Sequence, residues 1–232
     1  TRFQKVVLMV CKTFVGLGGL FLACGLASGE YVGLHLIETA VDGGGVIPGT
    51  TTWRLYAEFD NANDQLNTVG GSQANQGAIM SSGGFYQNVL GGAFGLDINP
   101  ALFSAFPSLQ FDSWVTIGDM ASNTTNNGVD TTAFEMGNNF YIDDGSWSVE
   151  QNNPYAFGSV IDGMDNYHVL VGQLTTYGAG EVSVPWGQLN LSGFGDGGDE
   201  WSVLGATFGT PIPAPSAIVL FGVFGAIARR RG

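Results

Sequence analysis

Cysteine and lysine are nearly absent from this chain of 232 residues. The only cysteines are Cys11 and Cys24, and the only lysines are Lys5 and Lys12. The remainder of the chain therefore forms no disulfide and offers no thiol or amine nucleophile, which excludes Schiff-base and Ser-Lys mechanisms there. A metalloprotease His-Glu-x-x-His, a Gly-x-Ser-x-Gly elbow and a phosphate-binding loop are also missing. With no catalytic motif, the chain is not predicted to be an enzyme.

Positive charge is scarce outside the two ends. The formal net charge is −13, and all 20 acidic residues lie between Glu30 and Glu200, where Arg54 is the only basic residue. Nucleic-acid binding is excluded, because neutralising phosphates requires clustered lysine and arginine. Hydrophobic residues make up 44% of the chain, which is enough for a folded core. We therefore predict one acidic domain over residues 30–210.

The N-terminal segment, residues 1–29, has the pattern of a secretory signal peptide. Arg2, Lys5 and Lys12 precede an apolar stretch, and small residues follow it, so cleavage after Ala27 or Gly29 is expected. Two alternatives remain open. Cys24 could be a lipidation site, and the segment could be a true transmembrane helix, although that needs about 20 apolar residues and glycines interrupt this run.

The C-terminal segment, residues 211–232, contains three signals in a fixed order. Pro213, Ala214 and Pro215 come first, an apolar run of about 13 residues follows, which is short for a membrane span, and the chain ends with basic side chains. These basic residues are Arg229, Arg230 and Arg231. By the positive-inside rule they hold the C-terminus on the cytoplasmic side.

This tail resembles the PEP-CTERM sorting signal, with Ala214 at the position where that family usually has Glu. The resemblance implies handling by the export machinery and removal of the tail by an exosortase-type enzyme. It also implies delivery to the outer surface or exopolysaccharide matrix of a Gram-negative-type envelope. The alternatives are a retained inner-membrane anchor and an apolar helix packed on the domain.

The central domain has the alternating pattern of β-strands. Strands are predicted at residues 52–59, 109–118, 167–176, 181–191 and 201–208, with weaker candidates at 84–88 and 146–150. The segment 167–176 is apolar on both faces and is expected at the centre of a sheet. Pro185 predicts an edge strand or a bulge. One short helix is predicted after the N-cap Asn99 and Pro100, ending before Pro107. The expected fold is all-β, an antiparallel β-sandwich of jelly-roll type.

Two acidic loops are candidate calcium sites. Carboxylate and amide oxygens are the ligands that calcium prefers, and almost no internal cation competes for them. The candidates after the first strong strand are Asp60, Asn61, Asn63 and Asp64, and those in the later loop are Asp196, Asp199 and Glu200. Asp143 and Asp144 form a weaker third group. None of these groups has the spacing of an EF-hand loop. The alternative interpretation is that they are solvated turns.

Aromatic side chains suggest contact with carbohydrate. Of the five tryptophans, Trp114 is the best candidate for stacking on a sugar, because alternation places it opposite the apolar face of its strand. The histidines, His35 and His168, have no zinc spacing, and His168 is expected to be a hydrogen-bonded core or edge residue.

These features predict an exported structural or adhesive protein of the cell surface or matrix, with matrix polysaccharide as a partner and calcium as a possible ligand. The alternative is a polysaccharide hydrolase or lyase on a jelly roll. Two carboxylates beside a tryptophan-lined face would support it.

Overall fold

A computed structural model describes residues 31–178 and 180–209, and short strands make up most of it. The strands are β1 (Tyr31–Val41), β2 (Thr50–Phe59), β3 (Gln65–Gly71), β4 (Gly77–Met80), β5 (Trp114–Val115), β6 (Thr125–Asn127), β7 (Phe140–Ile142), β8 (Gly145–Ser148), β9 (Tyr167–Tyr177), β10 (Trp186–Phe194) and β11 (Glu200–Phe208). Single helical turns lie at Asp42–Gly45, Gly95–Asp97, Pro100–Leu102, Pro107–Phe111, Thr132–Glu135, Pro154–Ala156 and Gly180–Ser183.

These strands form two antiparallel sheets. Sheet A has the order β1-β2-β9-β5, and sheet B has the order β6-β8-β3-β10-β4-β7 with β11 along the other side of β10. The coarse expectation of a mostly β, sandwich-like protein with two antiparallel sheets is confirmed.

Sheet B contains two interrupted strands. β3 and β4 pair with successive parts of β10, and β8 and β7 pair with β3 and β4 in turn. The breaks lie at residues 72–76 and 143–144. At the first break, a Cβ on Gly71 would lie 2.0 Å from the carbonyl oxygen of Ile142. Only glycine allows the two backbones to approach this closely.

The core lies between the facing surfaces of the two sheets. Alternation along each strand sends one side chain in two inward. The fully buried residues include Leu55, Ala57, Phe59, Leu66, Val69, Ile79, Phe140, Trp147, Val171, Leu174 and Leu189. Burial of this apolar surface is the main force that holds the sheets together.

A second apolar cluster covers the outer face of sheet A. The helical turns of residues 95–111 fold over it, and Ile98, Leu109, Trp114 and Leu170 are buried there. β9 is therefore covered on both faces, and the prediction of a central, doubly buried strand is confirmed.

Several predicted elements differ from the observed ones. Of the segment 109–118, only Trp114–Val115 is a strand, because Pro107 starts a 3-10 turn that continues through Phe111. Residues 84–88 form no strand and make a single bridge, from Phe85 to Thr176.

Proline explains two further differences. β10 begins just after Pro185 and is bordered by β3, β4 and β11, so it is not an edge strand; the alternative, an irregularity in the predicted segment, is found at Leu189–Leu191, where the register with β11 shifts. The side chain of Asn99 does cap a turn, accepting a hydrogen bond from the Ala101 N–H at 3.1 Å, but this turn is a 3-10 turn and not a longer helix.

The signals at the chain ends lie outside the described residues. These are Ala27 and Gly29, Cys24, the Pro213–Pro215 motif and the arginines 229–231. Over residues 31–178 and 180–209, no helix has the length and apolar character needed to cross a bilayer.

Candidate functional site

Two of the predicted acidic loops lie side by side in the structure. β3 and β10 are paired with Gln65 opposite Phe194, which brings the loop before β3 next to the loop after β10. The Asp196 N–H donates to Asp64 Oδ1 at 3.0 Å, and Asn61 Nδ2 donates to Asp196 Oδ2 at 3.4 Å. We call Asp60, Asn61, Asp64 and Asp196 the Asp64 corner.

Asp64 is an unusually placed carboxyl within this corner. Its side chain is 0% exposed, and its Oδ2 atom has no hydrogen-bond partner. Burial raises its pKa, the hydrogen bond from the Asp196 backbone lowers it, and the charges of Asp60 and Asp196 raise it again. A buried carboxylate normally requires a partner, because losing its hydration is costly.

The other predicted calcium ligands lie elsewhere. Asn63 is exposed, and its N–H closes a turn on the side chain of Asn61. Asp199 is exposed, and its carbonyl oxygen accepts from Gly195, while Glu200 lines a shallow groove with Trp201. Asp143 and Asp144 lie between β7 and β8. Across the described part of the chain, no three His, Cys, Asp or Glu side chains are grouped so as to hold a metal ion.

Trp114 cannot serve as a sugar-stacking platform. Its side chain is only 3% exposed and packs with Ile98, Leu109 and Leu170 in the outer cluster. The prediction is wrong because the segment before Trp114 is helical and folds over the sheet face where Trp114 lies.

Two tryptophans line surface grooves: Trp201 lies beside Glu200, and Trp186 lies in a separate groove. This groove has a volume of about 360 Å³ and runs over the outer face of sheet B. Tyr141, Ala78, Gln188 and Thr207 occupy one register row across β7, β4, β10 and β11. Trp186 is paired with Met80 two residues further along, in the next row on the same face. We call these six residues and the glycines between them the sheet B groove.

The sheet B groove has no charged side chain. Its lining contains aromatic, amide, hydroxyl and small residues, and Tyr141 is 56% exposed. The short side chain of Ala78 keeps its floor low. The same face continues mainly with uncharged polar residues and also carries Glu200; the polar residues include Thr68, Ser146, Ser148, Asn190, Ser192 and Ser202. The alternation of apolar and polar residues along β10 indicates this polar face. Pro185, directly before Trp186, obscures in the sequence where the strand begins.

Both histidines lie beside Glu58. His35 Nε2 is 2.5 Å from Glu58 Oε2 without hydrogen-bond geometry, and Asn166 Nδ2 donates to Glu58 Oε1 at 2.6 Å. His168 is buried as expected, but neither ring nitrogen has a hydrogen-bond partner, so the expectation of a hydrogen-bonded histidine is wrong. Burial lowers the pKa of His168, with Glu58 opposing and His35 adding to this effect. The neutral ring is therefore favoured.

Comparison with known proteins adds no identification. The chain matches no protein-family model, and neither the curated proteins nor the solved structures gave a significant match. The functional argument therefore rests on the residues themselves.

Proposed function

We propose that this protein is an exported structural and adhesive component of the cell surface or exopolysaccharide matrix, and that it contacts neutral polysaccharide through the sheet B groove. The observation that carries the proposal is an open, uncharged aromatic groove on a strongly acidic protein. The tail resemblance supports export, and an exosortase-type enzyme is the proposed partner in processing.

The chemistry of the groove suits a neutral sugar chain. Pyranose rings present apolar C–H faces that pack on aromatic rings, and their hydroxyls pair with amides and hydroxyls. Trp186 and Tyr141 supply the rings, while Gln188 and Thr207 supply polar groups. An anionic polysaccharide is disfavoured because the rest of the domain is acidic.

The hydrolase or lyase alternative has less support. A glycosidase needs two carboxyl groups on either side of the scissile bond. The sheet B groove has none, and the groove that contains Trp201 has only Glu200. We therefore favour binding over catalysis.

A jelly-roll-like topology is also proposed. It is supported by three nested antiparallel pairs, β6 with β8, β5 with β9 and β3 with β10, which alternate between the two sheets. Pairing of β2 with β9 departs from a regular jelly roll.

Replacing the aromatic residues of the groove should weaken glycan binding. We expect Trp186→Ala and Tyr141→Ala each to raise the Kd for a soluble neutral β-glucan by about 10-fold or more, as for the loss of one well-buried aromatic contact. Affinity electrophoresis in gels containing laminarin, with alginate gels in parallel, measures this. Tyr155→Ala is the matched control, because Tyr155 is exposed outside the groove. Equal retardation of all variants, or no retardation of the wild type by any neutral glycan, would contradict the proposal.

Export should lower the mass of the mature protein, because both terminal segments are removed. We expect protein recovered from its own envelope or culture fluid to have lost about 27 to 29 N-terminal residues, together with the tail after Pro213. Intact-mass spectrometry measures both ends at once. Retention of Arg229–Arg231 would contradict tail removal and would favour a domain held at the membrane by its own C-terminus.

A further inference from the structure

We propose that the Asp64 corner binds a calcium ion, with the carboxylates of Asp64 and Asp196 as charged ligands and the side-chain oxygen of Asn61 as an amide ligand. This inference does not depend on the glycan groove, which lies on a different part of the molecule. The sequence predicts seven oxygen ligands in two loops, and hydrogen bonds in the structure link three of them, Asn61, Asp64 and Asp196.

The buried Oδ2 of Asp64 is the decisive atom. Its partner Oδ1 is held by the Asp196 N–H, so the side chain is fixed while one oxygen remains without a hydrogen bond. Buried carboxylates are stable when they are paired with a cation or coordinate a metal. Arg54, in the middle of β2, is the only arginine or lysine within residues 31–178 and 180–209, so the chain supplies little positive charge.

Oxygen chemistry selects calcium over a transition metal. The corner has carboxylate and amide oxygens and no histidine or cysteine, whereas zinc favours nitrogen and sulfur ligands. Calcium also accepts irregular shells of six to eight oxygens and completes them with backbone carbonyls and water. In this proposal two carboxylates supply the charge, and backbone carbonyls and water supply the remaining oxygens. Asn61 Oδ1 accepts one hydrogen bond, from the Asn63 N–H, and retains a second lone pair.

The position of the corner suggests what the ion does. The loop that contains Asp64 carries the chain from β2 in sheet A to β3 in sheet B, and the loop that contains Asp196 closes the hairpin of β10 and β11. A bound ion would connect the crossover between the sheets to this hairpin. It would stabilise the folded chain, since the unfolded chain does not bring these loops together.

Calcium titration of the full-length protein tests the inference. We expect a rise in Tm of about 5–10 °C at a calcium concentration 100 times Kd, reversed by EGTA. Circular dichroism gives Tm, and isothermal titration calorimetry with CaCl₂ gives the stoichiometry, expected to be one ion per chain. Magnesium at the same concentration should produce a much smaller shift, because it demands near-octahedral geometry.

Isosteric variants locate the ion. Asp64→Asn and Asp196→Asn should each abolish most of the calcium-dependent rise in Tm. The control is Asp143→Asn, in the acidic loop between β7 and β8, and this variant should keep the rise in full. Asn at position 64 retains the oxygen that accepts from Asp196, so that variant is expected to fold, and its far-UV spectrum checks this. No calcium effect on the wild type, or an equal effect in the Asp64→Asn and Asp196→Asn variants, overturns the proposal.

Discussion

Trp147→Ala is expected to lower the free energy of unfolding by about 3–5 kcal/mol, the range for removing a large aromatic side chain from a packed core. Trp147 is 0% exposed, and its ring stacks on Phe140 with centroids 6.1 Å apart. Its Nε1 donates to the backbone carbonyl of Thr116 at 2.9 Å. Because Trp147 belongs to sheet B and Thr116 follows β5 of sheet A, this side chain joins the two sheets.

Denaturant unfolding of wild type and variants measures the effect. Trp147→Phe separates packing from the hydrogen bond: it keeps most of the buried ring but leaves the Thr116 carbonyl unpaired, at a cost of about 1–3 kcal/mol. Trp186→Ala is the control for Trp147→Ala. It also removes a tryptophan, but this one lies in the sheet B groove and is only partly buried. A loss below about 1 kcal/mol for Trp147→Ala would show that the core tolerates the cavity, contrary to the packing described.

Strong alternation made the central strands predictable. β2 has the alternation of apolar and polar residues typical of a half-buried strand, and β9 is apolar on both faces, as a fully buried strand is. The predicted bounds of both strands are close to the observed ones. The elements around Trp147 were harder to predict. β3 and β4 contain Gly70, Gly71 and Gly77, which the interrupted ribbon needs for close backbone contact but which carry no hydrophobic pattern.

The candidate sites show the same division between local and long-range information. The types of residue needed for calcium are visible in the sequence, because Asp and Asn cluster in turns after strands. The pairing of β3 with β10 decides which loops meet. It joins residues more than 100 positions apart, and no local sequence pattern indicates it. Trp114 failed for a different reason: the helical turns that bury it lie just before it in the chain, where the alternating pattern predicts a strand.

Asp112 should make the protein less stable as the pH rises from about 4 to about 7. Its side chain is 0% exposed, and burial raises its pKa from 3.8 to about 7, against the lowering effect of the N–H groups of Asn88, Ser113 and Gly92. The charge of Asp97 raises the pKa further. The folded state thus holds a proton that the unfolded chain has already released. The stabilising contribution is complete below the unfolded value and is lost as the pH passes through the folded value.

Comparison with Asp112→Asn isolates this contribution. The difference in unfolding free energy, wild type minus variant, should fall by at most about 1.4 kcal/mol per pH unit between pH 5 and 7 and become constant above pH 8. Urea unfolding at each pH measures it. Asp130→Asn is the control: Asp130 is exposed and hydrogen bonds from the Thr132 side chain and backbone lower its pKa, so its contribution changes only under more acidic conditions. A difference for Asp112→Asn that stays flat from pH 5 to 8 would mean that Asp112 is ionised in the folded protein throughout. The carboxylate would then require compensation from the surrounding N–H groups, of which Asn88 donates at 2.7 Å.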